Sequence, residues 1–295
     1  MKNLSICEQD AYLALYPQSK KPVGINWPDK GKSQEQALAT NGNLGLLLGP
    51  KSSVIDVDLD CPEAKALADL ILPKPFAQFD RGTSDSGHYL FRATSFGPTQ
   101  RFSGSGPKST LVELRGDGTQ TMIPPSIHPN GSRLNYTDFD QTAPEVEYAY
   151  LLKSVSFLAA CSEVAQLWAS GQRHELALSF SGLCLKQGVD PQLLVNIIQR
   201  ICNITRDLED QDRMNCVRTS VGKPYDKLRG YSGLVGCIGK AVADRIAKLV
   251  GQYCGREKAS LAVIQEAKSE IINFGRFADG YNVTEAKLGE TFSQW

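Results

Sequence analysis

Net charge is absent from this sequence: 32 Lys and Arg side chains are matched by 32 Asp and Glu. No global field draws a polyanion, so any nucleic-acid contact has to come from local basic patches. Long apolar runs are missing too. None reaches the roughly 20 residues that cross a bilayer, and Met1-Lys2-Asn3-Leu4 opens without the apolar core of a signal peptide. A cytoplasmic protein with no membrane partner is therefore expected. Eight cysteines occur, yet no two form a C-x-x-C pair. That argues against a zinc ribbon and a disulfide framework, and leaves reduced cysteines, mostly in a core. Gly45 and Gly49 flank Leu46-Leu47-Leu48 without the lysine-serine ending of a P-loop, which excludes a helicase-type motor. Gly104-Ser105-Gly106 has no histidine and acid in a supporting order behind it and reads as a flexible loop. Trp27, Trp168 and Trp295 stand too far apart to announce one stacking platform, and no internal repeat appears. What remains, 295 residues with 41% apolar content, is enough chain for two domains of ordinary size.

Against these absences the run Val54-Ile55-Asp56-Val57-Asp58-Leu59-Asp60 stands out. In a strand, alternate side chains share a face, so Asp56, Asp58 and Asp60 point one way and Ile55, Val57 and Leu59 point into a core. Carboxylates so close repel, and a divalent cation with a preference for hard oxygen ligands, Mg²⁺ or Mn²⁺, offsets the repulsion. Asp60-Cys61-Pro62 looks like a turn, so Asp60 is read as a turn residue and Asp56 and Asp58 as the ligands. Downstream, Ser86-Gly87-His88 delivers a histidine at the start of the strand-like Tyr89-Leu90-Phe91. Leu111-Val112-Glu113-Leu114-Arg115 alternates again, with Glu113 and Arg115 on one face, and Gly116-Asp117-Gly118 closes it as a hairpin turn. Thr121-Met122-Ile123 and then Pro124-Pro125-Ser126-Ile127-His128-Pro129-Asn130-Gly131 follow.

These segments, IDVDLD, SGHYLF, LVELRGDG and PPSIHPNG in that order, resemble the primase-polymerases of the archaeo-eukaryotic primase superfamily, found on plasmids, phages and mobile elements. Lys20-Lys21-Pro22, Trp27 and the NLGLLLG strand at 43–49 are similar to that family's N-terminal segment. The resemblance implies an α+β fold: an RRM-like palm catalytic domain over residues 1–150, then an all-α helical bundle over 151–295. It implies a DNA primase and DNA polymerase performing template-directed nucleotidyl transfer with two Mg²⁺ or Mn²⁺ ions. Its partners would be a single-stranded DNA template, nucleoside triphosphates and a replicative helicase in cis or in trans. Two ions about 3.5–4 Å apart stabilise the attacking and leaving oxygens, and bridging them takes three carboxylates: Asp56, Asp58 and Glu113, with Asp117 as an alternative third. His88 and Ser86 are assigned as donors to the triphosphate. Lys20 or Lys21, Arg81 and Arg115 are candidate positive charges. His128 either touches the nucleotide or holds its loop, with the structural role favoured. The rival readings are a non-catalytic nucleic-acid-binding module and a metal-dependent nuclease.

The pattern changes near Ala143-Pro144-Glu145, from short strand-like runs to helical periodicity. From His174 to Gln187, Leu176, Phe180, Leu183 and Cys184 recur at helical spacing, and Gly188 supplies a stop. Asp190-Pro191 then caps a helix striped by Leu194, Ile197, Ile198 and Ile201. Further helices are expected at about 233–251 and 257–273. Gly171-Gln172-Arg173-His174 and the Arg213 to Gly230 segment resemble the helix-bundle domain that follows the catalytic domain in many plasmid primase-polymerases. Arg213, Arg218, Lys223, Lys227 and Arg229, with Tyr225 among them, suit phosphate contact and base stacking. A solvated helix face is the alternative.

Overall fold

The computed structural model describes residues 6–7, 10–82, 85–106 and 110–255. The described residues up to Gly255 form one compact unit; the helix expected at 257–273 lies outside the described residues. The fold is mixed, as expected, with two antiparallel sheets and eight α-helices among the described residues.

The smaller sheet joins β1 (Tyr12–Leu15), β2 (Asn43–Leu47) and β8 (Gln120–Ile123) in that order. The larger runs β6 (Gln100–Ser103), β7 (Thr110–Arg115), β3 (Val54–Leu59), β5 (Gly87–Arg92), β4 (Ala77–Asp80), β9 (Asn135–Phe139). Helix α1 (Gln34–Leu38) lies between β1 and β2, closed by a Ser33/Gln36 capping box. Helix α2 (Pro62–Ile71) follows β3 directly, with Pro62 at its first position, where a missing N–H costs nothing.

The β3 alternation decides how the larger sheet is used. Ile55, Val57 and Leu59 are fully buried and join Phe91, Val112 and Leu114 in a core closed by α2 and by α3 (Tyr148–Gln166). Each such side chain contributes roughly 1.5–3 kcal/mol by leaving water. On the opposite face, Val54, Phe79 and Leu90 pack with Leu44, Leu46 and Ile123 of the smaller sheet. That face is apolar at one end and charged at the other. Asp56 sits at the changeover, which is why this carboxylate is wholly buried.

Strands end at Phe139 and α3 begins at Tyr148. Helix α3 is buried on nearly all sides, from Leu151 and Val155 to Cys161 and Val164, as a helix without one polar face must be. One apolar cluster runs from the sheet through α3 into α4 (Arg173–Gln187), α5 (Pro191–Thr205), α6 (Asp210–Arg218), α7 (Tyr231–Ile238) and α8 (Lys240–Tyr253). Helices α4 and α5 occupy the expected spans: Gly188 at φ 91° ends the first, and Asp190 caps the second by accepting from Leu193 N–H. The single helix expected at 233–251 is two, because Gly239 at φ 79°, ψ 159° takes a conformation open to glycine alone and breaks it.

Candidate functional site

Pairing in the larger sheet sets the site. Asp58 on β3 stands opposite His88 on β5 and Glu113 on β7, while Asp56 stands opposite Arg115. A strand pair opposes side chains on one face, so residues from three distant segments converge. His88 Nδ1 lies 3.0 and 3.2 Å from the two oxygens of Asp56, and Nε2 lies 3.5 Å from Asp58 Oδ1. The imidazole is stacked on Phe79 at 4.6 Å and 9°, which fixes the ring plane between the carboxylates. Arg115 Nη1 is 4.0 Å from Asp56 and 3.9 Å from Asp58, and its Nε is 3.7 Å from Glu113. Arg101 on β6 donates to Glu113 at 3.0 Å.

The two aspartates differ electrostatically. Burial pushes the Asp56 carboxyl up, but the charge and hydrogen bond of His88, with Arg115, outweigh it and hold Asp56 below its ordinary value. Burial together with the charge of Asp56 raises Asp58, against His88 and Arg115. Burial alone would lower His88, yet Asp58 and Asp56 raise it. Asp60 is pushed up to about 6 by burial, Asp58 and Glu113.

A polar cavity of about 320 Å³ opens beside this face, lined by Asp58, Asp60, Arg81, Ser86, His88, Arg115, Lys20 and His128 among others. Arg81 donates to Ser86 Oγ at 2.6 Å. Lys20 also lines a second cleft with Asp60, Arg101, Glu113 and Arg115. Lys21 lines neither, which places Lys20 at the site in its stead. His128 Nδ1 is 2.8 Å from Asn130 Oδ1, so it both borders the cavity and holds its own loop. Ser126 of the same segment is structural: its buried hydroxyl accepts from Leu44 N–H, and Asn43 ties both backbone groups of Ile127. Asp117 is exposed in the β7–β8 turn, where its side chain lies beside Gly49, and it lines neither of the two clefts. Glu113, directly across from Asp58, is the third carboxylate of this face.

Sequence reasoning passes over two residues here. Asp60 is legible from the alternation that also points to Asp56 and Asp58, but its turn-like context hides it. Arg101 opposes Glu113 across β6 and β7, a pairing no local pattern announces.

The basic stretch of the helical part divides. Arg213 is 6% exposed, with Nε on Asp207 at 3.0 Å and its other nitrogens on Glu209 and Asp212. It is a structural hub, not a surface contact, because the acidic turn before it takes up every guanidinium edge. Arg218, Lys223 and Lys227 are exposed, and Arg229 is exposed and paired with Glu175 at 3.0 Å.

The residues fit hard divalent cations by their chemistry. Asp56, Asp58 and Glu113 are oxygen donors on one polar face, and Asp58 and Asp60 hold their protons more tightly than usual because burial and surplus negative charge penalise their ionised forms. Asp56 and Asp58 stand on one strand, and Glu113 stands on its neighbour directly opposite Asp58.

No helix among the described residues is long and apolar enough to cross a membrane. No curated protein compared with the chain matches it. A family model does match: that of the bifunctional DNA primase/polymerase N-terminal (Prim-Pol) domain, over residues 7–147, the segment that holds Asp56, Asp58, His88 and Glu113.

Proposed function

We propose that this chain is a DNA primase and polymerase that extends nucleic acid on a single-stranded template, in the replication of a plasmid, phage or mobile element. The observation that carries the reading is the position of Asp58, flanked across the sheet by His88 on one side and Glu113 on the other. That register puts a carboxylate pair, a histidine and a third carboxylate beside a cavity edged with Lys20, Arg81 and Arg115. The larger antiparallel sheet with α2 and α3 on one face would be the palm, and its charged face the reaction surface. Asp56, Asp58 and Glu113 would hold two Mg²⁺ or Mn²⁺ ions, which supply charge stabilisation on the attacking and leaving oxygens.

The chain's own cations do the rest. Lys20 and Arg81 bring positive charge to the mouth of the cavity, where a triphosphate binds. Ser86, held by Arg81, is a hydroxyl donor at the same edge. Asp56 engages His88 Nδ1 and holds the ring, so that Nε2, on the cavity side with Asp58, donates to a phosphate oxygen. Incubating the protein with a primed single-stranded template, Mn²⁺ or Mg²⁺ and labelled nucleotides tests the reading. Extension is expected. Template cleavage would instead make the carboxylates those of a nuclease, and a mobility shift alone would make the chain a binding module.

A further inference from the structure

We propose that His174, Asp212 and Cys216 form a site for one borderline-soft divalent cation, Zn²⁺ before others, which clips the start of α4 to α6. The site lies in the helical part and is independent of the nucleotidyl-transfer reading. Among the described residues these three side chains are the group whose ligating atoms all lie within 4.8 Å of one another. His174 Nδ1 is 2.7 Å from Asp212 Oδ2, and Cys216 Sγ is 3.8 Å from the same nitrogen. Asp212 and Cys216 are four residues apart on α6, so their side chains rise from one face toward the first turn of α4.

Metal bonds of about 2.0–2.3 Å place tetrahedral ligand atoms about 3.4 Å apart. The observed separations straddle that value. An ion entering the site therefore needs the His174–Asp212 pair to open and the Cys216 contact to close, each by well under about 1 Å. The donor set selects the ion. Imidazole and thiolate suit Zn²⁺ and its neighbours, while Mg²⁺ and Ca²⁺ ask for oxygen throughout. Cys216 is 3% exposed and forms the floor of the site, whereas His174 and Asp212 are half exposed, which leaves an approach from solvent and a fourth position for water. Arg213 donates to the same Asp212 carboxylate and orients it, the role outer partners play around metal ligands. On binding, the Cys216 S–H bond breaks, its proton passes to solvent and a sulfur–metal bond forms.

Titration of the full chain with Co²⁺, followed by displacement with Zn²⁺, tests this. A thiolate-to-cobalt charge-transfer band is expected in the near ultraviolet, lost on adding Zn²⁺, together with a rise in Tm with Zn²⁺. The band should vanish in Cys216→Ser, weaken about tenfold or more in His174→Ala, and persist in Cys237→Ser and Asp58→Asn. His174 is at the surface, so its variant remains informative even if Cys216→Ser folds poorly. Absence of the band in the native chain, or its survival in Cys216→Ser, would overturn the site.

Discussion

Two buried charge clusters in this protein are built from the same residue types and solved differently. In the helical part, Asp207 accepts from Trp168 Nε1 and Arg213 Nε at 3.0 Å each, from Glu209 N–H at 3.3 Å, and faces Arg173 at 3.3 Å. Its negative charge is fully answered. On the sheet, Asp58 has His88 at 3.5 Å and Arg115 at 3.9 Å, both shared with Asp56. Three further acidic side chains, Asp56, Asp60 and Glu113, crowd the same face. A satisfied cluster locks two helices together; an unsatisfied one facing a cavity is poised to take cations and a polyanionic ligand.

The sharpest way to break the comparison is to neutralise each aspartate of the sheet. Asp58→Asn and Asp56→Asn should both cut nucleotide incorporation by roughly 10²–10³-fold or more, the scale of removing one charge interaction with the transition state. Their stabilities should move in opposite directions. The folded state raises the Asp58 pKa, so ionised Asp58 is a cost at neutral pH, and its amide should raise Tm. Asp56 is held low by His88, so its ionised form is a gain, and its amide should lower Tm. Thermal melts at pH 7 decide it; parallel shifts would mean that Asp56 and Asp58 do not differ in charge balance as argued.

Arg213→Ala comes next. Removing the buried guanidinium leaves Asp207 with Arg173, Trp168 and the Glu209 N–H but without its most buried cation, at a cost of about 3 kcal/mol, the low end for a broken buried pair, with incorporation per folded molecule largely kept. The same cluster carries a pH signature. Burial pushes the Asp207 carboxyl up, but Trp168 and Arg213 outweigh it and hold it below its ordinary value. A depressed folded pKa contributes stability that is fully present above the unfolded value, about 3.9, and is lost as pH falls through the folded value. The Tm gap between the native chain and Asp207→Asn should therefore be constant near neutrality and close below about pH 4. A gap that persisted in acid would remove the charge from the explanation.

What could be read in the sequence follows the range of the interactions involved. Period-two alternation in 54–59 and the caps at Gly188 and Asp190 are local, and they locate β3, α4 and α5. The position of Asp58 between His88 and Glu113 depends on strands 30 and 55 residues away, and only the family resemblance joins them. Local rules also mislead. Asp-Cys-Pro does begin a helix at Pro62, but Asp60 still lines the charged clefts. An isolated glycine is tolerated in a helix often enough that Gly239 gives no warning of the break there. Helix α3 escapes notice because its apolar residues surround it and leave no stripe to count. Arg213 reads as one of a basic run although Glu209 and Asp212 stand within one helical turn of it.

The smallest expected effect separates Arg213 from the basic residues that follow it. Arg218 and Lys223 are exposed, so Arg218→Glu with Lys223→Glu should leave Tm within experimental error, in contrast to Arg213→Ala. If they meet the template backbone, the double reversal should weaken single-strand binding and flatten the slope of log K against log salt by roughly 0.7 for each phosphate no longer neutralised, because fewer counterions are released. Fluorescence anisotropy with a labelled oligonucleotide over a salt series measures that slope directly. An unchanged slope would assign Arg218, at the end of α6, and Lys223, in the loop after it, to ordinary solvated surface and leave Lys20 and Arg81, at the cavity on the sheet, to meet the phosphates alone.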